Sequence, residues 1–208
     1  MIEDFGIILR GKSLEKLPMI SDKFDGCWLV NNFDNLEHVI GCLRGKNVVH
    51  YCNVLNTTVM SADFYRRFGI THVSLSRYSW TKDARQARSR FQKVGINHFS
   101  LLPEELRPFT RVFGRANDKH PSTGALAVIH AAHVLKPKHL WVCGLDFYEQ
   151  DYLYRRKSTK PLEQQRKSII EFQIPEKIFD VIRSHQDTKF HIASYCSSFP
   201  EICNLDVQ

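Results

Sequence analysis

The chain has 208 residues, 43% hydrophobic and 25% charged, with ten glycines and eight prolines. That composition supports one well-buried core and excludes a low-complexity chain; there is no heptad run or internal repeat, and no apolar stretch approaches the ~20 residues of a membrane span. The net charge of +7, from 29 basic and 22 acidic residues, points to anionic partners: nucleic acid, phosphorylated ligands, acidic glycans or anionic lipid.

The N-terminus, MIEDFGIILRGKSLEKLP, is acidic where a signal peptide is basic, and its apolar run is short and followed by no small-residue cleavage site. FGIILRG therefore reads as a first buried strand ending at Gly11. FDGCWLVNNF (24–33), NVVHYCN (47–53) and HVSLSRY (72–78) read as strands two to four. Thr81 caps a polar helix over 81–94, and HFSLLPEELRPF reads as a strand with a helix starting near Pro103. Ser122 or Thr123 caps a helix from about Gly124 to Leu135, stopped by Pro137. HLWVCGLDF is the most continuous apolar strand. IPEKIFDVIRSH (174–185) is an amphipathic helix with Pro175 in its first turn, and KFHIASYC (189–196) reads as the last strand.

Short apolar strands alternating with helices predict an α/β fold: a single Rossmann-like, doubly wound, mostly parallel sheet, in one domain over 1–208. The basic segment YRRKSTKPLEQQRKS, within a lid-like stretch at about 150–172, reads either as a lid loop or as a solvated insertion. In such sheets ligands bind beyond the carboxyl ends of the strands. The loops Arg10–Leu14, Asn31–Asp34, Asn53–Thr57 and Asp146 onward are then the site, with the helix start at Ser122–Gly124 opening on the same edge.

Several residues there suit an anionic ligand. Gly11 lets a ligand approach the backbone, and Ser13 with the neighbouring amides can bind phosphate or ribose. Asn31 ends a strand with a carboxamide that serves either a turn or a base and sugar contact. In PSTG (121–124) a proline fixes the entry, Ser122 and Thr123 supply hydroxyls and Gly124 removes a side chain. Free N–H groups and a positive dipole end result. Asp146 ends the strand before Tyr148, Tyr152 and Tyr154, whose hydroxyls either donate to a departing phosphate or pack the loop. Ten histidines include no metal pattern, and His130 and His133, at i and i+3, read as structural. None of the six cysteines forms a C-x-x-C pair, so they read as small buried hydrophobes of a reducing compartment.

Together these pieces resemble the sialyltransferases. The segment from PSTG onward resembles the small sialyl motif of the animal-type enzymes. It also resembles bacterial single-domain enzymes, with Thr123–Gly124 matching an S-G helix start and Gly144–Tyr148 matching G-[IL]-D-F-Y. GKSL…LP…FDGCWLVNNF is similar to the large motif; the middle, about 55 to 115, matches only in pattern. The resemblance implies an inverting transfer of sialic acid, or a related sugar such as Kdo, from a CMP-sugar to a glycan or glycolipid hydroxyl. It implies no metal and no cofactor beyond the donor as co-substrate. Gly11, Ser13 and Asn31 would touch the nucleotide or donor sugar; Ser122, Thr123 and Gly124 would hold the cytidine and phosphate end; Asn53 and Asp146 are further donor-binding candidates. Tyr148 and Tyr154 keep the spacing of the tyrosines that stabilise the leaving phosphate in bacterial relatives. His120 stands where those relatives carry an arginine, as an acid, a base, a phosphate contact or a capping-loop histidine.

One departure matters. The family's histidine base follows the tyrosine loop, but no histidine lies between His139 and His185, and SIIEFQIPEK occupies the place. His185 at a helix end and His191 within a strand are poor equivalents. A CMP-binding pseudoenzyme on the same fold is therefore the alternative, and a basic nucleic-acid-binding domain a more distant one, since the basic residues are spread over several elements. The expected location is the cytoplasm or the cytoplasmic face of a membrane, with peripheral attachment to anionic lipid and no nucleic acid bound.

Overall fold

The apolar runs form strands, and the central ones are mostly buried, whereas the edge strands are not. The computed structural model describes residues 2–33, 35–54, 59–108, 122–147, 149, 153, 161–171 and 173–208. Its strands are β1 (Asp4–Ile8), β2 (Gly26–Val30), β3 (Asn47–Cys52), β4 (His72–Leu75), β5 (His98–Leu101), β6 (His139–Cys143), β7 (Lys189–Ala193) and β8 (Leu205–Val207). They make one eight-stranded sheet in the order β5-β4-β3-β2-β1-β6-β7-β8, parallel at every pairing. This is the Rossmann-like α/β architecture expected. β8 is an addition: IASYC is not the last strand, because Asn204 and the short run after it return to the edge of β7.

The chain fills one side of β1 with β2 to β5 and then crosses to the other with β6 to β8. The order therefore reverses between β1 and β6, which makes the carboxyl end of that pair a topological switch point. The β1–β6 register runs from Asp4 opposite His139 to Ile8 opposite Cys143, so the two strands end side by side.

The helices are α1 (Leu17–Ile20), α2 (Glu37–Ile40), α3 (Ala62–Arg67), α4 (Lys82–Gln92), α5 (Thr123–His130), α6 (Leu162–Glu171) and α7 (Ile174–Ser184). One face of the sheet, with Ile7, Val30, Leu140 and Val142, packs on α5 and α7; the other, with Ile8, Leu29, Val73 and Cys143, packs on α1 to α4. Each fully buried Leu, Ile or Phe here contributes ~1.5–3 kcal/mol. Thr81 caps α4 by accepting the Ala84 N–H at 3.3 Å, as the sequence predicts. The region near Pro103 forms a 3-10 turn, Glu104–Leu106. Leu162–Glu171 is helical, so that part of the lid-like stretch is not a loop; 150–152, 154–160 and 172 lie outside the described residues.

α5 continues as a π-helical turn, Ala131–Leu135, and ends on Lys136 in the left-handed conformation before Pro137. His130 is buried against Trp28 and Tyr51, and burial lowers its pKa to about 4. His133 pairs with His185, Nδ1 to Nε2 at 2.9 Å. Both histidines act in packing, as read from the sequence. Cys27, Cys52, Cys143 and Cys196 are buried free thiols; burial pushes Cys27 up to about 12 and raises the others.

Candidate functional site

The ends of β1 and β6 meet backbone to backbone. Leu9 N–H donates to the Cys143 carbonyl at 2.8 Å and Gly11 N–H to the Gly144 carbonyl at 3.0 Å. A Cβ at Gly11 would collide with the Asp146 carboxylate and stand 2.5 Å from the Gly144 oxygen. Gly144 has φ +81°, and a Cβ there would stand 2.5 Å from the Leu9 oxygen. Both positions need glycine because no side chain fits between the strands.

Asp146 holds this junction together. Its Oδ2 accepts the Ser13 N–H at 2.8 Å; its Oδ1 accepts the Ser194 hydroxyl at 2.9 Å and the Tyr195 N–H at 3.2 Å. The carboxylate thereby ties the ends of β1, β6 and β7. It is 3% exposed and both of its oxygens are engaged. The Ser13 hydroxyl is fully buried and has no hydrogen-bond partner among the described residues, and the same holds for Oδ1 of Asn32. Lys16 joins the cluster from below, donating to the carbonyls of Ser194 at 2.8 Å and Gln208 at 2.7 Å while lying over the Tyr195 ring.

The loop after Asp146 turns sharply. Phe147 has φ +44°, a conformation rare for a bulky residue, and its ring is pinned between Phe179 and Phe199. Glu149 N–H donates to the Asp146 carbonyl, its carboxylate accepts the Ser198 hydroxyl, and Leu153 N–H donates to the Arg10 carbonyl at 3.1 Å. The loop therefore folds back over the end of β1. Tyr148, Tyr152 and Tyr154 lie outside the described residues, between and beyond these anchors.

α5 begins at the same edge. Ser122 caps it, accepting the Ala125 N–H at 3.3 Å. Its first turn has no acidic residue, and a Cβ at Gly124 would stand 3.2 Å from the Leu9 side chain. The helix start is thus seated on the end of β1. His120 and Pro121, just before it, lie outside the described residues.

The two asparagines meet one strand-pair away. Asn31 follows β2 with φ +70°, and its Oδ1 accepts the Asn53 N–H at 3.4 Å. Of the predicted site residues, Gly11, Ser13 and Asp146 are in direct contact, Asn31 touches Asn53, and Ser122, Thr123 and Gly124 form the helix start over Leu9. Asp34 and 55–58, in the loops beside them, lie outside the described residues. Sequence reading missed Ser194, Tyr195, Phe147 and His50, which shape the site from behind; the only signal for Ser194 was its place at a strand end.

His185 and His191 lie away from this edge. His185 is at the C-terminal end of α7, which runs away from the carboxyl ends of the strands, and its Nδ1 is held by the Val181 carbonyl at 2.7 Å. His191 lies within β7, between Asp206 and His139 and stacked on Trp141. Among the described residues no group of three His, Cys, Asp or Glu side chains is placed to hold a metal ion, and no helix is long and apolar enough to cross a membrane.

No family model and no curated protein matches the chain. Among solved structures it is similar to a tyrosine-to-phenylalanine variant of the sialyltransferase CST-II in complex with CMP, at 15% sequence identity and a TM-score of 0.57. The alignment covers 94% of this chain and 82% of that one. At this identity the likeness establishes a shared fold.

Proposed function

We propose that this chain is a sialyltransferase-like glycosyltransferase that moves sialic acid, or a related CMP-activated sugar such as Kdo, to a glycan or glycolipid hydroxyl with inversion and without a metal ion. The observation that carries this reading is the junction of Gly11, Ser13 and Asp146 at the switch point, beside the start of α5. A fold shared along nearly the whole chain with a sialyltransferase crystallised with CMP supports it. The start of α5 and the buried Ser13 hydroxyl suit the phosphate and ribose, and Asn31 with Asn53 suits the base or sugar. Asp146 serves by fixing the junction. Tyr148 and Tyr154 donate to the phosphate as CMP leaves, and His120 is the nearest histidine in sequence to the helix start.

The reaction also needs a base on the acceptor hydroxyl. The lack of a histidine between His139 and His185 favours a second reading, a CMP-binding pseudoenzyme on the same fold. One assay separates them. The enzyme releases CMP from CMP-sialic acid or CMP-Kdo in the presence of suitable acceptors, and the pseudoenzyme binds CMP in calorimetry without turnover. Absence of both contradicts both.

A glycolipid acceptor would place the protein on a membrane surface, and α4 suits that role. Lys82, Arg85 and Arg88 follow one another along one flank, with the Arg88 guanidinium over the Trp80 and Phe99 rings. Arg66, Arg67, Arg107 and Arg183 all pair with carboxylates, whereas none pairs with these three among the described residues.

A further inference from the structure

His50 is a fully buried polar side chain beside the asparagine pair. It lies on β3, fully buried, with its ring against Tyr65 of α3 and Phe91 of α4. Its Nε2 is 2.5 Å from the carbonyl oxygen of Asn31 and its Nδ1 is 3.1 Å from the Tyr65 hydroxyl.

These contacts fix the tautomer. A carbonyl oxygen only accepts, so Nε2 carries the proton and donates to Asn31. Nδ1 of the neutral ring then accepts from the Tyr65 hydroxyl, whose oxygen accepts the Met60 N–H at 3.3 Å. The hydrogen bonds run in one direction: Met60 N–H to Tyr65, Tyr65 to His50, His50 to Asn31. Met60 also holds the other side of the loop, since its sulfur accepts the Phe33 N–H at 3.5 Å.

The end of this chain is the left-handed residue. Asn31 N–H makes the last bond to β3, donating to the Tyr51 carbonyl at 2.8 Å, and the backbone then turns to φ +70°. That turn directs the Asn31 carbonyl back into the protein, where without a donor it would be buried and unpaired. His50 supplies the donor. With the Asn31 Oδ1 also committed, to the Asn53 N–H, its amide nitrogen is the part of the side chain left for a ligand.

We infer that His50 is a positioning residue for nucleotide binding, a neutral donor that holds Asn31 in its left-handed turn and so presents the Asn31 carboxamide at the strand-end edge. This rests on the reading of that edge as the CMP site. It goes beyond it in assigning the asparagine geometry to a buried imidazole and Tyr65, neither of which reaches the edge. Burial, by disfavouring the charged ring, outweighs the opposing effect of the Asn31 hydrogen bond and lowers the His50 pKa to about 4, which keeps the donor in its neutral form at working pH.

The test has two parts. In the wild-type protein, nitrogen NMR of the His50 ring reads the tautomer directly: the inference expects a neutral ring protonated on Nε2 from pH 8 down to 5, and a ring that titrates near 6.5 or carries its proton on Nδ1 overturns it. CMP affinity is then measured by calorimetry for His50→Phe, which removes the donor, and for His50→Gln, whose amide can still donate. His50→Phe should weaken CMP binding ~10-fold or more and His50→Gln by no more than ~3-fold; equal affinity in wild type and a folded His50→Phe overturns the inference. If His50→Phe does not fold, Tyr65→Phe takes its place, with a several-fold loss expected and an unchanged affinity counting against the relay. A wild-type protein that binds no CMP refutes the site reading instead, while the tautomer measurement still decides the relay.

Discussion

At Gly11 a single methyl group would enter the space shared by the Asp146 carboxylate and the Gly144 carbonyl. Neither neighbour can yield: one is fixed by three donors and the other is backbone. Gly11→Ala should cost ~1–3 kcal/mol of stability by overpacking, read as a lower urea midpoint, and should weaken CMP binding with it. A midpoint equal to that of the wild type would mean that the strand ends are not so closely joined. The tyrosines make a chemical prediction of another kind. If Tyr148 and Tyr154 donate to the leaving phosphate as proposed, Tyr148→Phe and Tyr154→Phe should each slow transfer by ~10-fold or more while leaving stability within ~1 kcal/mol. Rates equal to wild type would return both rings to loop packing. Histidines set the response to acid. His50, His130 and His133 are all held down to about 4, each mainly by burial, with His185 and Lys136 adding to the effect on His133. Their folded values lie below the unfolded value of ~6.5, so between pH ~6.5 and 4 the unfolded chain binds more protons and stability falls as pH falls. Each fully buried ring contributes up to ~1.4 kcal/mol per pH unit in that window. The melting temperature should therefore drop steeply from pH 6.5 to 4.5 and little from 8 to 6.5; a flat profile would contradict the burial of these rings.

Among the elements, the strands with near-continuous apolar runs and the helices with a cap or proline at the start were legible in the sequence. β6, α4 capped by Thr81, and α7 with Pro175 carry local signals that agree with their packing. β8 was not legible: it has three residues, and it is held by contacts with distant segments, the edge of β7, the Asn204 side-chain bonds to Ile182, His185 and Thr188, and the Lys16–Gln208 bond. α6 was missed because its polar, basic sequence reads as a loop. In the site, glycines and helix-start residues were legible because they have local conformational reasons. Ser194, Tyr195 and His50 were not, because their roles exist only once distant strands are aligned. α4 carries the prediction at this scale. Lys82→Glu with Arg85→Glu should abolish binding to phosphatidylserine vesicles in flotation at low salt, with no change for neutral phosphatidylcholine. Persistent binding of the double variant would remove α4 from the contact, and salt-dependent binding of the wild type to random oligonucleotides instead of vesicles would favour the nucleic-acid alternative.

For the molecule as a whole, the order of strands does most to explain the site. The reversal between β1 and β6 brings together Gly11, Asp146 and the start of α5, which are far apart in sequence, and the Leu153 N–H reaches back to the Arg10 carbonyl beside them. The buried Ser13 hydroxyl and the left-handed Asn31 lie on the same rim, the first unpartnered among the described residues and the second held by His50. The most direct test is a crystal structure of the protein soaked with CMP. We predict the phosphate against the Thr123 and Gly124 N–H groups, with the nucleoside beside the Ser13 loop, Asn31 and Asn53. An empty strand-end edge at saturating CMP, or CMP bound elsewhere on the molecule, would contradict the account.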